Sequence, residues 1–281
     1  MKKERVKKPR FRRPVWGFIG WFLLTTLILT VMGIPDAVVE EIGADLPFGI
    51  FMILGGLVML LIFFLTYRKE GFKGCLGGNI PLGLKLELPE FIYIALSTIY
   101  IGMAPTLGTT AISLQAGITE EIWFRAIPIA YLIRAWRFDE KKIPVIAVIT
   151  AALFALTHAG NVLAGAPVKS TVFQVACCFC SGIVAAAVYI RCGSILPCIV
   201  QHFLQDFVAL LNTASVSESG VMTEISFTPD IIFDCVVSPI LLAIGIYYLR
   251  KAKRGEAMEL WKKKWSYGEE PAPEQPEEVQ D

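Results

Sequence analysis

GITEEIWFRAIPIAYLIRAW, residues 117–136, is the stretch on which the fold of this chain turns. It has the length of about 20 residues that a helix needs to cross a bilayer, yet Glu120, Glu121 and Arg125 lie in its first half. Seven other runs are apolar enough to span on inspection: 15–34, 48–67, 91–111, 143–160, 168–190, 193–212 and 231–250. Charge decides whether 117–136 joins them. With eight spans and a cytoplasmic N-terminus, the inside segments 1–14, 68–90, 134–142, 191–192 and everything from Arg250 hold 24 of the 26 Lys and Arg. The outer loops 35–47 and 213–230 hold Asp36, Glu40, Glu41, Asp45, Glu218, Glu224 and Asp230, with no Lys or Arg. That asymmetry is what the positive-inside rule requires. Removing the 117–136 span would invert every later loop. The expectation is therefore an all-α polytopic membrane protein of eight transmembrane helices with both termini in the cytoplasm.

Composition agrees. Counting Gly and leaving out Tyr, about 60% of the 281 residues are apolar, where soluble domains average about 45–50%. Charged residues are 18%, against about 25% in such domains. A disordered chain, a coiled coil and an ordinary soluble enzyme are excluded. Twenty-six basic against 25 acidic residues leave no basic field, so nucleic acid is not an expected partner; the lipid bilayer is. Five of the seven cysteines (Cys177, Cys178, Cys180, Cys198, Cys235) lie inside apolar runs and read as small packing residues. The organisation is a basic arm at 1–14, a membrane domain at 15–250 and a cytoplasmic tail at 251–281 whose acidic, Pro-rich end is disordered. The first run reads as an anchor rather than a cleaved signal peptide, being too long and lacking a small-residue cleavage site. The loop 71–90, Gly-rich and then LKLELPE, reads as a short interfacial helix, and LWKKKWSY suits either an anionic leaflet surface or a solvated tail.

Ionisable groups inside a span cost about 2.5–3.5 kcal/mol each and mark functional sites by default. Glu121 and Arg125 are i,i+4 and can pair. Glu120 lies about 100° around the helix and is left without that partner, which suits a general base. His202 and Asp206 are also i,i+4. His158 falls in the last turn of a span running outward, and both histidines of the chain lie inside spans. Counted along their helices, Glu120, His158, His202 and Asp206 all fall in the outer leaflet. Asp234, near the outer start of the last span, reads as an interfacial residue without chemistry.

At these positions the sequence resembles the CAAX protease and bacteriocin-processing (CPBP, or Abi) family of intramembrane proteases. Its pattern is EExxxR, then FxxxH, then HxxxN or HxxxD on successive helices. Here these are Glu120-Glu121-Ile-Trp-Phe-Arg125, Phe154-Ala-Leu-Thr-His158 and His202-Phe-Leu-Gln-Asp206, within a core at 117–212. The resemblance implies hydrolysis of peptide bonds in membrane-associated peptides or proteins. Glu120 would activate water with His158 assisting, His202 and Asp206 would support the oxyanion or the water, and Glu121, Arg125 and Phe154 would be structural support. The four groups Glu120, His158, His202 and Asp206 can ligate Zn²⁺ and can equally work without a metal. An outer-leaflet site differs from the cytosolic tails handled by prenyl-protein-processing members. With the basic arm and no organellar signal, it points to a bacterial cell membrane and to peptide maturation, bacteriocin self-immunity or membrane-protein turnover. A proton-coupled transporter, or a non-catalytic immunity or scaffold protein, is the alternative.

Overall fold

The computed structural model describes residues 14–42, 49–163, 165–211 and 229–266. The basic arm before residue 14, residues 43–47 of the loop 35–47, the segment from 212 to 228 and the acidic end from 267 lie outside the described residues. The described residues form helices joined by turns and irregular segments, and contain no strand. The helices are α1 (Pro14–Glu41), α2 (Ile50–Tyr67), α3 (Ile80–Leu86), α4 (Leu88–Ser97), α5 (Leu107–Glu121), α6 (Ile127–Ala135), α7 (Ile143–Thr157), α8 (Val168–Cys192), α9 (Leu196–Leu211), α10 (Pro229–Tyr248) and α11 (Lys251–Lys264).

Five stretches among the described residues are long and apolar enough to cross a membrane: Pro14–Val39, Ile50–Glu70, Glu140–Val162, Val168–Cys192 and Ile231–Tyr248. Leu88–Tyr100 and Leu196–Leu211 are apolar but shorter. Large apolar side chains stand exposed along these helices, among them Leu54, Leu57, Leu61, Val236, Ile240 and Ile246. Such a surface belongs against lipid tails, not water.

The doubtful stretch is helical and longer than expected. A π-turn at Ile122–Ala126 joins α5 to α6, making one run from Leu107 to Ala135, about 40 Å long. Pro128 follows the π-turn immediately. It has no N–H for the regular ladder, and a wider turn beside it absorbs the mismatch.

The expected span 91–111 is corrected. α4 passes into a short 3-10 turn ending at Tyr100, residues 101–106 are not helical, and α5 starts afresh at Leu107 behind a Thr106–Thr109 capping box. Gly102 and Pro105 break the helix here, and the Gly102 and Met103 N–H groups donate to the Leu211 carbonyl at the end of α9. Hydropathy averages over such a break and does not register it. Within 71–90 the structure has the short helix α3, which ends at Leu86, inside LKLELPE.

With lipid on the outside, close approach of backbones replaces burial from water as the source of helix association. Gly117 supplies it between α5 and α9: a Cβ there would lie 2.9 Å from the Phe203 N and 3.1 Å from the Ile199 O. Gly182 does the same between α8 and α7, with Ala151 Cβ at 3.1 Å and Arg125 Nη2 at 3.4 Å. Both glycines flank the polar centre. Gly117→Ala is therefore expected to destabilise the protein by about 1–3 kcal/mol and to lower activity by pushing α5 off α9, read as a lower Tm in detergent.

The helical unit does not stop at residue 250. α11 folds beneath the bundle, with Met258, Trp261 and Trp265 buried. Trp261 Nε1 donates to the Ile190 carbonyl at 2.9 Å, and the Trp265 ring lies 4.3 Å from that of Phe72. Lys264 donates to the Gly77 carbonyl, and burial pushes its ammonium pKa below the usual lysine value. Trp261→Ala is expected to cost about 3–5 kcal/mol, read as a lowered Tm.

Contacts of α11 with the end of α8 and the 71–79 segment gather the basic segments at one end of the bundle. Arg134 reaches Glu70 there at 3.7 Å, and Arg191 reaches Glu256 at 3.6 Å. At the opposite end Asp36 caps the start of α2 by accepting from the Phe51 and Met52 N–H groups.

Candidate active site

A cavity of about 530 Å³ opens among α4, α5, α8, α9 and α10, and its wall includes Glu120, Glu121, His158, His202 and Asp206. It runs from the middle of the α5–α6 run toward the ends marked by Tyr100, Ile112, Phe173 and Leu210. That is the end away from α11 and the basic segments.

Each side chain is placed by its helix. On α5, consecutive carboxylates diverge. Glu121 is 1% exposed, whereas the Glu120 side chain is 30% exposed to the cavity. Glu121 Oε1 lies 2.9 Å from Arg125 Nη1 and accepts from His202 Nδ1 at 2.9 Å. The Arg125 guanidinium stacks 3.9 Å over the Phe154 ring. That ring in turn packs edge-on against His158 and His202, at 5.0 and 5.6 Å between centroids. Phe154 is therefore the shared wall that sets the orientation of both imidazoles, a role its place in FxxxH does not reveal.

The two histidines are oriented from behind. His158 Nδ1 donates to the Phe154 carbonyl at 3.1 Å. A carbonyl can only accept, so Nδ1 holds a proton and Nε2 is left for the cavity. His202 Nδ1 is taken by Glu121, and its Nε2 lies 3.7 Å from Glu120 Oε2 and 3.6 Å from Asp206 Oδ2. The Asp206 side chain, 34% exposed, faces the charges of both His202 and His158. The structure thus brings Glu120, His158, His202 and Asp206 to one cavity from three helices.

Two expectations are refined. The Glu121–Arg125 pair, expected as structural support, also orients a histidine, because the same Glu121 oxygen accepts from His202 Nδ1. Glu120 sits near the middle of a run that begins at Leu107, deeper than its position in a span beginning at 117 implies.

Other groups escaped the sequence reading. Glu87 and Glu90 are 0% and 1% exposed, and none of their four carboxyl oxygens has a hydrogen-bond partner. Glu87 lies within electrostatic reach of Glu121 and Arg125, and Glu90 of His202. Their i,i+3 spacing in LKLELPE puts both on one helix face, which was the available signal; only the packing of α4 against α9 shows that this face is buried. Asn161 Nδ2 donates to Gln174 Oε1 at 2.8 Å on the cavity wall.

Among the described residues, no group of three or more His, Cys, Asp or Glu side chains converges as metal ligands would.

Residues 102–208 match the family described as type II CAAX prenyl endopeptidase Rce1-like. The match contains all three motifs, the whole of α5 to α8 and α9 as far as Val208. Comparison with curated proteins gives no match, and comparison with solved structures gives none.

Proposed function

Because residues 102–208 match the family described as type II CAAX prenyl endopeptidase Rce1-like, we propose that this membrane protein is an intramembrane endopeptidase and that Glu120 is its general base. The observation that carries the reading is the pairing of roles around His202. Glu121 holds Nδ1 from the buried side, while the exposed carboxylates of Glu120 and Asp206 stand beyond Nε2.

In this mechanism a water lies between Glu120 and His158 Nε2. Glu120 takes one of its protons as the water oxygen bonds to the scissile carbonyl carbon. The oxyanion that forms accepts a hydrogen bond from His202, protonated at Nε2, with Asp206 holding that ring in place. Glu120 then gives its proton to the leaving nitrogen, the C–N bond breaks, and a carboxylic acid and an amine leave.

The eight-span topology with cytoplasmic termini is part of the same proposal. Basic segments gathered at one end support it, and with that end in the cytoplasm the cavity mouth would open on the outer side of a bacterial cell membrane. A site that opens outward fits peptide maturation, bacteriocin self-immunity or turnover of membrane proteins better than trimming of cytosolic prenylated tails.

The test is reconstitution in vesicles with two quenched substrates, a single-span peptide and a farnesylated peptide ending in a CAAX sequence. Cleavage of the single-span peptide supports the reading, and cleavage of neither refutes it. The same assay addresses zinc. Glu120, His158, His202 and Asp206 can activate water without a metal, and in that form of the mechanism the rate is expected to be unchanged by 1,10-phenanthroline. Loss that added Zn²⁺ restores would assign Glu120, His158, His202 and Asp206 to an ion instead.

A further inference from the structure

Each imidazole of the site is accompanied by a pair of neutral side-chain amides. On α9, Gln201 and Gln205 immediately precede His202 and Asp206, and Gln201 Nε2 donates to Gln205 Oε1 at 2.6 Å. Beside His158, Asn161 lies one turn further along the same 3-10 segment, His158–Val162, and its Nδ2 donates to Gln174 Oε1 of α8 at 2.8 Å. All four amides line the cavity. His158 and His202 pack on the one Phe154 ring, with centroids 5.0 and 5.6 Å from it. Three or four residues of extended chain, at about 3.3–3.6 Å each, therefore reach from one imidazole to the other.

The hydrogen-bonding capacity of these pairs is only partly used. A carboxamide has an oxygen with two lone pairs and an NH2 group with two donors. Within each pair one donor meets one acceptor, and among the described residues neither pair makes another side-chain hydrogen bond. Each pair keeps a carbonyl oxygen and an NH2 group for a ligand: Asn161 Oδ1 with Gln174 Nε2, and Gln201 Oε1 with Gln205 Nε2. Turning over both amides of a pair exchanges the roles and leaves the same set of groups. Three hydroxyls on that wall are already committed, since Ser97, Thr157 and Ser181 donate to the carbonyls of Tyr93, Phe154 and Cys178 on their own helices. Glu120 and Asp206, when ionised, accept only.

A matched donor and acceptor is what an opened main chain needs. In lipid a peptide is helical because every backbone N–H and C=O must be satisfied internally. Attack by water beside Glu120 requires the scissile carbonyl to be presented with its turn of helix unwound. The N–H and C=O groups so released are costly to leave unpaired, and neither a carboxylate nor an apolar wall satisfies both. A carboxamide does. Its oxygen accepts from an N–H and its NH2 donates to a C=O, as a neighbouring strand would.

Resting on the endopeptidase reading, we infer that the Gln201–Gln205 and Asn161–Gln174 pairs are main-chain clamps that hold the substrate as an extended segment on the two sides of the scissile bond. The substrate class is then a membrane peptide whose scissile segment is drawn out of its helix and recognised by its backbone amides rather than by particular side chains.

The test is a backbone-ester scan of the single-span peptide. At each position in turn an α-hydroxy acid replaces the amino acid, which removes one N–H and weakens the adjoining C=O as an acceptor while keeping the side chain. Binding is measured in vesicles with the full-length Glu120→Gln protein, alone and carrying Asn161→Leu or Gln205→Met, and cleavage by the unaltered chain is followed alongside. Esters at two or more positions are expected to lower affinity by about 3–10-fold, the weight of one net hydrogen bond. Each variant is expected to weaken binding of the all-amide peptide by a similar factor, and to abolish the ester penalty at its own positions while keeping it at the other variant's. Any easier unwinding that an ester brings is common to all the proteins and cancels in that comparison. An ester penalty undiminished in both variants at unchanged Tm, or no ester penalty at any position, would overturn the clamps. If a variant fails to fold, the presence or absence of ester penalties in the Glu120→Gln protein decides. Ester penalties without any cleavage by the unaltered chain would keep the clamps and defeat the endopeptidase reading.

Discussion

Glu120→Gln is expected to lower kcat by about 10²–10⁴-fold, the share that a positioned general base contributes, while leaving yield and Tm unchanged. The two halves of that expectation come from one geometry. The Glu120 side chain is 30% exposed, and its nearest charged partner, His202 Nε2, is 3.7 Å away, beyond hydrogen-bonding distance. Replacing the carboxylate by an amide of the same size breaks no packed contact, so the fold has little to lose. What disappears is the acceptor for the proton of the attacking water and the donor to the leaving nitrogen. Steady-state cleavage and a melting curve on the same preparation read both halves. A Gln variant that retained more than a tenth of the activity would remove Glu120 from the proton path.

The neighbouring residue gives the opposite pattern. Arg125→Ala and Glu121→Gln are each expected to cost about 3–5 kcal/mol, because removing one partner leaves the other charge buried and uncompensated. Glu121 and Arg125 are 1% and 2% exposed, so solvent does not soften the loss. Arg125→Ala also removes the cation over Phe154, the ring against which the His158 and His202 imidazoles rest. Lower yield and a lower Tm are the expected readout in both variants. In Glu121→Gln, any protein that does fold is expected to lose activity as well, since His202 Nδ1 then lacks its ionised acceptor. Normal yield and normal Tm in both would show that the pair has no structural role.

Sequence spacing went furthest where a motif lies within one helix turn. Glu121 and Arg125 at i,i+4, and His202 and Asp206 at i,i+4, were legible because a helix puts such residues on one face whatever surrounds them. That Glu120 and His202 meet across α5 and α9 was expected only from their depth and from the family resemblance. The agent of that meeting, Gly117 against the α9 backbone, carries no charge and no motif. The break at 101–106 was hidden inside an apolar average. Glu87 and Glu90 looked interfacial because hydropathy registers a carboxyl but not the helix that covers it. α11 looked like a tail, since KAKRGEAMELWKKK is polar around most of its circumference, and only the docking of Trp261 and Trp265 shows which residues are inside.

The measurement that tests the central claim most directly compares peptides, by mass spectrometry, from cells expressing the unaltered chain and cells expressing Glu120→Gln at matched protein levels. The expected result is a set of new peptide ends, within or next to apolar segments, that are present with the unaltered chain and missing with the variant. Indistinguishable peptide ends in the two samples, with any phenotype of the unaltered chain preserved by the variant, would contradict intramembrane proteolysis by this protein.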